Sequence, residues 1–400
     1  MRSILEFSDL IKPASSKAFF KDHYGKAPYL AKGDAKLYAS LFGWDDFSNL
    51  LEMSNVWTGS TLKIVLDEEI IDPATYTRRT GGRDGGSTRR PIPSDVNGWM
   101  AKGASVVLDA AEYMHPGLRA ITEAISFATN CMVSCNLYCS FDGRQAFTSH
   151  YDTTDVFVLQ LDGAKKWRVY EGQFENPIEA DGYYYSSFDK AHHDRAKGRP
   201  KMTPTLKPGN FLYLPKGRYH DACALKGPSL HATFATTEAR GVDFLQTIIN
   251  SMVEVPAFRA ALPNFDDTEA HSNHIHELAE QLKTILQQPE IAVQMRDDQK
   301  QRAFADLSRY QLPTPTPTQI YRVRHIDHNI SLGGDGYILG ANGKTVAIPS
   351  DSIDAVKWVL ERAAFLKHEL EANTPDLDEA GRRDLLTMLS EIGLLDILES

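Results

Sequence analysis

Hydrophobic and polar positions alternate most cleanly between residues 131 and 140. The odd positions Cys131, Val133, Cys135, Leu137 and Cys139 are apolar, while Ser134, Asn136, Tyr138 and Ser140 occupy the even ones. A period of two predicts a strand with one face on a core and the other on a polar surface or cavity. Further on, the apolar run Val156–Leu161 predicts a buried strand that ends in the turn Asp162-Gly163. Beyond that turn, alternation sets Lys165 and Trp167 on one face and Lys166 and Arg168 on the other. Two more strands are predicted: Phe211–Leu214, entered through Lys207-Pro208-Gly209-Asn210, and Leu230–Ala235. The N-terminal part reads as a helix-rich lead-in, with the element Tyr24–Leu30 followed by strands broken by loops.

After about residue 241 the period changes to helical, in Val242–Asn250 and in Ile275–Leu286. Amphipathic helices that cannot bury both faces predict a dimer interface. The run Leu312-Pro313-Thr314-Pro315-Thr316-Pro317 predicts a polyproline hinge. Beyond it, strand signals flank the turns at 333–336 and 341–344, and two helical segments follow, the layout of a winged helix. The expected organisation is α+β, with domains at 1–240, 241–311 and 312–400.

Composition narrows the picture. A chain of 400 residues, 42% hydrophobic and 24% charged, predicts two or three folded domains. The start Met1–Phe7 has no apolar leader core and no stretch approaches a membrane span, so a cytoplasmic protein is expected. Cys131, Cys135 and Cys139 recur at every fourth position on one strand face, which suits neither disulfides nor a zinc site; they read as small buried hydrophobes. Residues 312–400 carry eight Lys and Arg against fourteen Asp and Glu, a net of −6, so that domain is expected to contact protein rather than nucleic acid. One basic stretch stands out: residues 77–91 hold five arginines among five Gly and Pro residues and read as a mobile loop. Such a loop serves as a clamp for an acidic substrate or surface, or is simply solvated.

Candidate chemistry comes from three His-x-Asp tripeptides. His192 and Asp194 lie in a polar stretch that reads as a solvated loop, and His325 and Asp327 have only His328 and His368 downstream. His150 and Asp152 lead into the predicted buried strand and have a distal partner, His220, after another. Two His and one carboxylate on rigid strands form one face of an octahedron and leave three adjacent positions open, the pattern of a non-haem Fe(II) oxygenase. The cluster His271, His274 and His276 reads instead as a solvent-facing helix start, since His271 and His276 fall about 140° apart on a helix.

From His150 onward, His-Tyr-Asp-(x)2-Asp-Val-Phe-Val-Leu-Gln-Leu-Asp-Gly-Ala-Lys-Lys-Trp-Arg-Val-Tyr resembles the JmjC-domain oxygenases, specifically the ribosomal oxygenase branch, over residues 134–240. The resemblance implies a double-stranded β-helix (cupin-like jelly-roll) core, a helical dimerisation region and a C-terminal winged-helix-like domain. It also implies metal ligation by His150, Asp152 and His220, with 2-oxoglutarate and O2 as co-substrates. Lys165, fifteen positions after the first ligand, would pair with the distal carboxylate of 2-oxoglutarate, and Asn136 and Tyr138 would contact the same region. A dicarboxylate held by the metal at one end needs a cation for the other. At Ala235 several relatives have a Ser, so Thr233 is the candidate to supply that hydrogen bond. The implied activity is hydroxylation of a side chain in a ribosomal or other protein by a homodimer. The alternatives are a small-molecule substrate, or a non-catalytic cupin-like scaffold that binds protein.

Overall fold

The computed structural model describes residues 5–81, 87–141, 148–225, 227–307, 319–324 and 326–398. The predicted hinge at 312–317 and His325 lie outside the described residues. The described chain divides into two compact units, one made of 1–129, 133–236 and 308–400, the other of 130–132 and 237–307.

The larger unit is built on two antiparallel sheets. Its strands are β1 (Tyr29–Ala31), β2 (Leu62–Leu66), β3 (Glu69–Ile70), β4 (Thr77–Gly81), β5 (Ser87–Pro91), β6 (Ser105–Leu108), β7 (Met132–Ser140), β8 (Asp155–Asp162), β9 (Lys165–Gln173), β10 (Pro200–Met202), β11 (Thr205–Leu206), β12 (Phe211–Leu214), β13 (Arg218–Ala224) and β14 (Ser229–Thr237). One sheet runs β1-β12-β8-β14-β7-β6-β2-β3; the other joins β10, β9 and β11, with β13 on the free side of β9. This is the double-stranded β-helix.

Alternation along each strand sorts the side chains into two layers. Phe157, Leu159 and Leu161 of β8 join Val133, Cys135, Leu137 and Cys139 of β7 in the main core, with Phe211, Tyr213, Leu230, Ala232 and Phe234. The N-terminal helices cover that face: Phe7 and Phe19 pack against Phe157, with ring centroids 6.0 and 6.3 Å apart. Each such aromatic pair is worth about 0.5–1.5 kcal/mol beyond its buried area. The opposite residues, Val156, Val158, Leu212 and Leu214, meet Trp167, Val169 and Leu206 of the second sheet. The β8–β9 hairpin turns at Gly163, whose φ of +65° and contact with Pro228 leave no room for a side chain. A Cβ there would sit 2.1 Å from the Pro228 carbonyl oxygen.

Two expectations of irregular structure fail. The basic stretch at 77–91 contains a hairpin in which β4 pairs with β5, Arg78 opposite Arg90 and Arg79 opposite Arg89. The polar stretch around His192 is a short helix, Lys190–Ala196, because Asp189 caps its N-terminus and His193 turns inward to bond the Tyr219 hydroxyl at 2.8 Å.

The C-terminal elements add β15 (Ile320–Val323), β16 (His328–Leu332), β17 (Gly336–Ala341), β18 (Lys344–Pro349), β19 (Ala364–Leu366) and β20 (Leu395–Leu398). β15 lies between β19 and β20, and β16-β17-β18 form a meander around the two predicted turns. The helices Ile353–Leu360, Lys367–Asn373 and Glu379–Glu391 contribute Val356, Val359, Leu370 and Leu389 to a separate core.

The second unit holds the helices Gly241–Met252, Pro256–Arg259, Thr268–Leu286 and Pro289–Phe304 around a small core of Ile248, Ile285 and Ile291. Val242, Leu245, Ile249 and Val253 remain exposed. No helix among the described residues is long and apolar enough to cross a membrane.

Candidate metal centre

His150 lies just before β8 and His220 within β13, where an isolated antiparallel bridge joins them. Each backbone N–H donates to the other residue's carbonyl, at 2.9 and 2.8 Å. The bridge fixes both imidazoles on one side of the sheet, with ring centroids 4.5 Å apart. Each ring also donates from Nδ1 to a carbonyl two residues back, His150 to Thr148 at 2.7 Å and His220 to Arg218 at 2.9 Å. Those bonds set the tautomer and leave Nε2 as the ligand atom, as in metal sites generally.

Asp152 completes the group. Its Oδ2 is 3.5 Å from His220 Nε2, and the ligand atoms of all three residues lie within 4.8 Å of one another. Its backbone is also held, because the Gly217 N–H donates to the Asp152 carbonyl at 2.8 Å. Gly217 has a φ of +76°, and a Cβ there would fall 1.9 Å from the Phe174 carbonyl oxygen. Burial, with His150 alongside, lowers the His220 pKa to about 4. His220 is therefore neutral at physiological pH, with its lone pair available.

The three residues open into a cavity of about 280 Å3 between the two sheets. Asn136 and Tyr138 of β7, Lys165 and Trp167 of β9, and His231, Thr233 and Ala235 of β14 line it. The structure thus brings every candidate residue of the sequence into one cavity. Lys165 is only 3% exposed, and its nearest hydrogen-bond partner is the Ser140 hydroxyl, at 3.3 Å. Burial without a carboxylate lowers its pKa to about 8.

His231 escaped the sequence reading. It is 2% exposed, and its ring stacks on Tyr138 at 4.7 Å with 10° between planes. Burial beside Lys165 depresses its pKa well below the usual range, so the ring is neutral. The parity of β14 was the available signal, since His231, Thr233 and Ala235 alternate onto the cavity face.

The donor set suits a divalent metal: two neutral imidazoles and a carboxylate on one face, with both rings held from behind. The cavity suits a small dicarboxylate for an independent reason. Among the described residues Lys165 is a buried cation without a carboxylate partner, and the Trp167 Nε1 and His231 Nδ1 atoms are buried without hydrogen-bond partners. An anion with several acceptor oxygens satisfies all three.

On the reverse face of β13 the Asp221 carboxylate, 1% exposed, gathers three donors. Ser149 Oγ and Tyr170 OH each reach Oδ2 at 2.7 Å, and Arg168 Nε reaches Oδ1 at 2.6 Å.

The family model for the JmjC domain matches residues 112–244, the segment that carries all seven candidate residues. The chain carries a JmjC domain over those residues. Over 253 residues it is 28% identical to Ribosomal oxygenase 1 of Gallus gallus, covering 62% of this chain and 39% of that protein. Over 233 residues it is 30% identical to the bifunctional lysine-specific demethylase and histidyl-hydroxylase NO66 of Drosophila persimilis, covering 57% and 31%. The chain therefore spans less than half the length of either curated relative. A solved structure of YcfD, a ribosomal oxygenase from Escherichia coli, in complex with cobalt and 2-oxoglutarate aligns over 96% of this chain and 98% of that one, at 16% identity and a TM-score of 0.47.

Proposed function

We propose that this JmjC-domain protein is an Fe(II)- and 2-oxoglutarate-dependent oxygenase that hydroxylates a side chain of a protein substrate, ribosomal by analogy with its curated relatives. The observation that carries the reading is that one cavity holds both the His150, Asp152 and His220 cluster and Lys165, which is buried with no carboxylate partner among the described residues. When bound, iron supplies the activation of O2 that no protein side chain can perform.

The protein's part is positional. His150, Asp152 and His220 would hold the metal from one side of the cavity, and the rest of the cavity would receive 2-oxoglutarate. Lys165 neutralises the distal carboxylate, Asn136, Tyr138 and Thr233 bound the pocket, and neutral His231 offers a ring nitrogen to the same anion. The apolar wall of Val156, Trp167 and Ala222 keeps the pocket dry around the reacting centre. On this reading the protein works in the cytoplasm, the helices at 241–311 dimerise, and the acidic elements at 312–400 form a winged-helix-like surface that contacts protein.

The test is turnover of 2-oxoglutarate to succinate by protein loaded anaerobically with Fe(II), with and without a ribosomal-protein fraction. Turnover stimulated by that fraction and lost in both His150→Ala and Lys165→Ala supports the oxygenase. Absence of turnover, together with absence of metal-dependent 2-oxoglutarate binding, overturns it.

A further inference from the structure

The β4–β5 hairpin takes no part in the site just described, and its charge is unusual for this molecule. Its ten described residues, Thr77–Gly81 and Ser87–Pro91, include four arginines and no acid. The chain as a whole carries ten more acidic than basic residues.

The register makes the concentration sharper. Arg78 faces Arg90 and Arg79 faces Arg89, so both faces of the ribbon present a pair of guanidinium groups at cross-strand distance. Like charges directly opposite each other destabilise a hairpin. Nothing among the described residues relieves them: Arg89 donates to the Thr77 hydroxyl at 3.0 Å and carbonyl at 3.2 Å, and Arg90 donates to the Asn55 side chain, all neutral acceptors. The Arg78 and Arg79 side chains are exposed and make no hydrogen bond or ion pair with any described residue. Arg90 Nε is buried with no hydrogen-bond partner among the described residues.

The base of the hairpin is well anchored. Tyr76 is fully buried and its hydroxyl donates to the Leu62 carbonyl at 3.1 Å, while the Ile92 N–H donates to the Tyr76 carbonyl at 2.9 Å. A fixed ribbon with two unrelieved cationic pairs is a built surface for a polyanion.

We propose that the β4–β5 hairpin docks the phosphate backbone of RNA through Arg78, Arg79, Arg89 and Arg90. Planar guanidinium forks match phosphate oxygens bidentately, and a polynucleotide carries a charge on every unit. No aromatic residue stands among the described hairpin positions, so bases have no stacking platform and the contact is independent of sequence. A ribosomal protein substrate is itself cationic and would be repelled here, whereas the RNA beside it would be attracted; that preference for RNA rests on the proposed function. The acidic C-terminal elements remain poorly suited to nucleic acid, and the hairpin is a different surface.

The experiment is fluorescence anisotropy of a labelled 20-nucleotide mixed-sequence RNA with the full chain, titrated at several salt concentrations from about 50 to 200 mM. Polyglutamate of equal length and DNA of the same sequence serve as competitors. The test variant is Arg78→Gln with Arg79→Gln, which leaves the structural bonds of Arg89 and Arg90 in place. Binding is expected to weaken linearly in log salt, with a slope shallower by about 0.7 for each arginine removed. Absence of RNA binding by the wild type, or a slope unchanged in the variant, overturns the proposal. Displacement of the RNA by polyglutamate at equal or lower concentration also overturns it, reassigning the hairpin to an acidic protein; DNA of the same sequence, which offers the same phosphates, is expected to compete. The readout needs neither iron nor turnover, so its failure and that of the oxygenase reading are distinguishable.

Discussion

The Asp221 carboxylate and the Ser149 hydroxyl meet at 2.7 Å, and each belongs to the immediate chain neighbour of a candidate metal ligand. Ser149 precedes His150 and Asp221 follows His220, so the bond ties the two ligand-bearing segments together behind the backbone bridge. A hydrogen bond to a buried carboxylate contributes about 1.5–3 kcal/mol, and the charge of Asp221 is balanced by Arg168. Asp221 is thus a positioning residue. Asp221→Asn is expected to weaken Co(II) or Mn(II) binding about 10–100-fold, the usual cost of disturbing a group that orients metal ligands. Calorimetric titration checks this beside thermal melting of the metal-free protein. A lowered melting temperature with unchanged metal affinity would show that the network serves the fold alone.

Lys165 predicts a pH dependence. Its folded pKa of about 8 lies below the ordinary 10.5, so between those values the folded protein holds fewer protons than the unfolded chain. Stability of the empty protein from this group therefore rises as pH increases through 8 toward 10.5, where the buried charge is lost. Affinity for 2-oxoglutarate runs the other way. Binding needs the ammonium, so above pH 8 it should fall about tenfold per unit and take up close to one proton. Calorimetry in buffers of different ionisation enthalpy measures both. Lys165→Met should abolish the dependence and the binding while raising the melting temperature at neutral pH, since an apolar chain replaces an uncompensated buried charge. An unchanged pH profile in Lys165→Met would remove Lys165 from the site.

Much of this site was legible because strand parity is a local property. The even positions of β7 brought Asn136 and Tyr138 to the cavity, and the odd positions of β9 brought Lys165 and Trp167, as alternation required. What sequence could not give was the environment that several segments build together. The pairing of Asp221 with Ser149 spans 72 positions, and nothing near either residue announces it. The stacking of His231 on Tyr138 likewise joins strands that adjoin only once the sheet has formed. The arginine stretch reads as a loop because its composition is turn-like, and the structure pairs it as a hairpin. Its pairing as a hairpin is stabilised at the base by Tyr76, Thr77 and Pro91, all buried, rather than by the arginines themselves.

Thr233 and Ala235 share the cavity face of β14, and only Thr233 carries a hydroxyl. If that hydroxyl reaches a carboxylate of the co-substrate, Thr233→Val removes one charge-assisted hydrogen bond at nearly constant volume. The expected cost is about 1.5–3 kcal/mol, or roughly a 13- to 160-fold loss of 2-oxoglutarate affinity. Adding Ala235→Ser to that variant should recover part of the loss, since the neighbouring inward position then supplies a hydroxyl. Equal affinities in wild type and Thr233→Val would show that the Thr233 hydroxyl plays no part.

The helix Gly241–Met252 carries Val242, Leu245 and Ile249 on one stripe, continued by Val253, and all four are about half exposed. Spacings of three and four residues align them, while Ile248 faces inward to the small core with Ile285 and Ile291. A helix that is apolar on both faces has one face still to cover, and the proposed homodimer covers it with a second copy of the same stripe. Light scattering coupled to size exclusion should return twice the 44.6 kDa chain mass for the wild type. Leu245→Glu combined with Ile249→Glu should return the single mass, because two buried unpaired carboxylates per protomer cost more than the contact contributes. The inner core is untouched by these changes, so circular dichroism should be unaltered. A wild type that elutes as a monomer at tens of micromolar, with the stripe intact, would overturn the dimer assignment for this face.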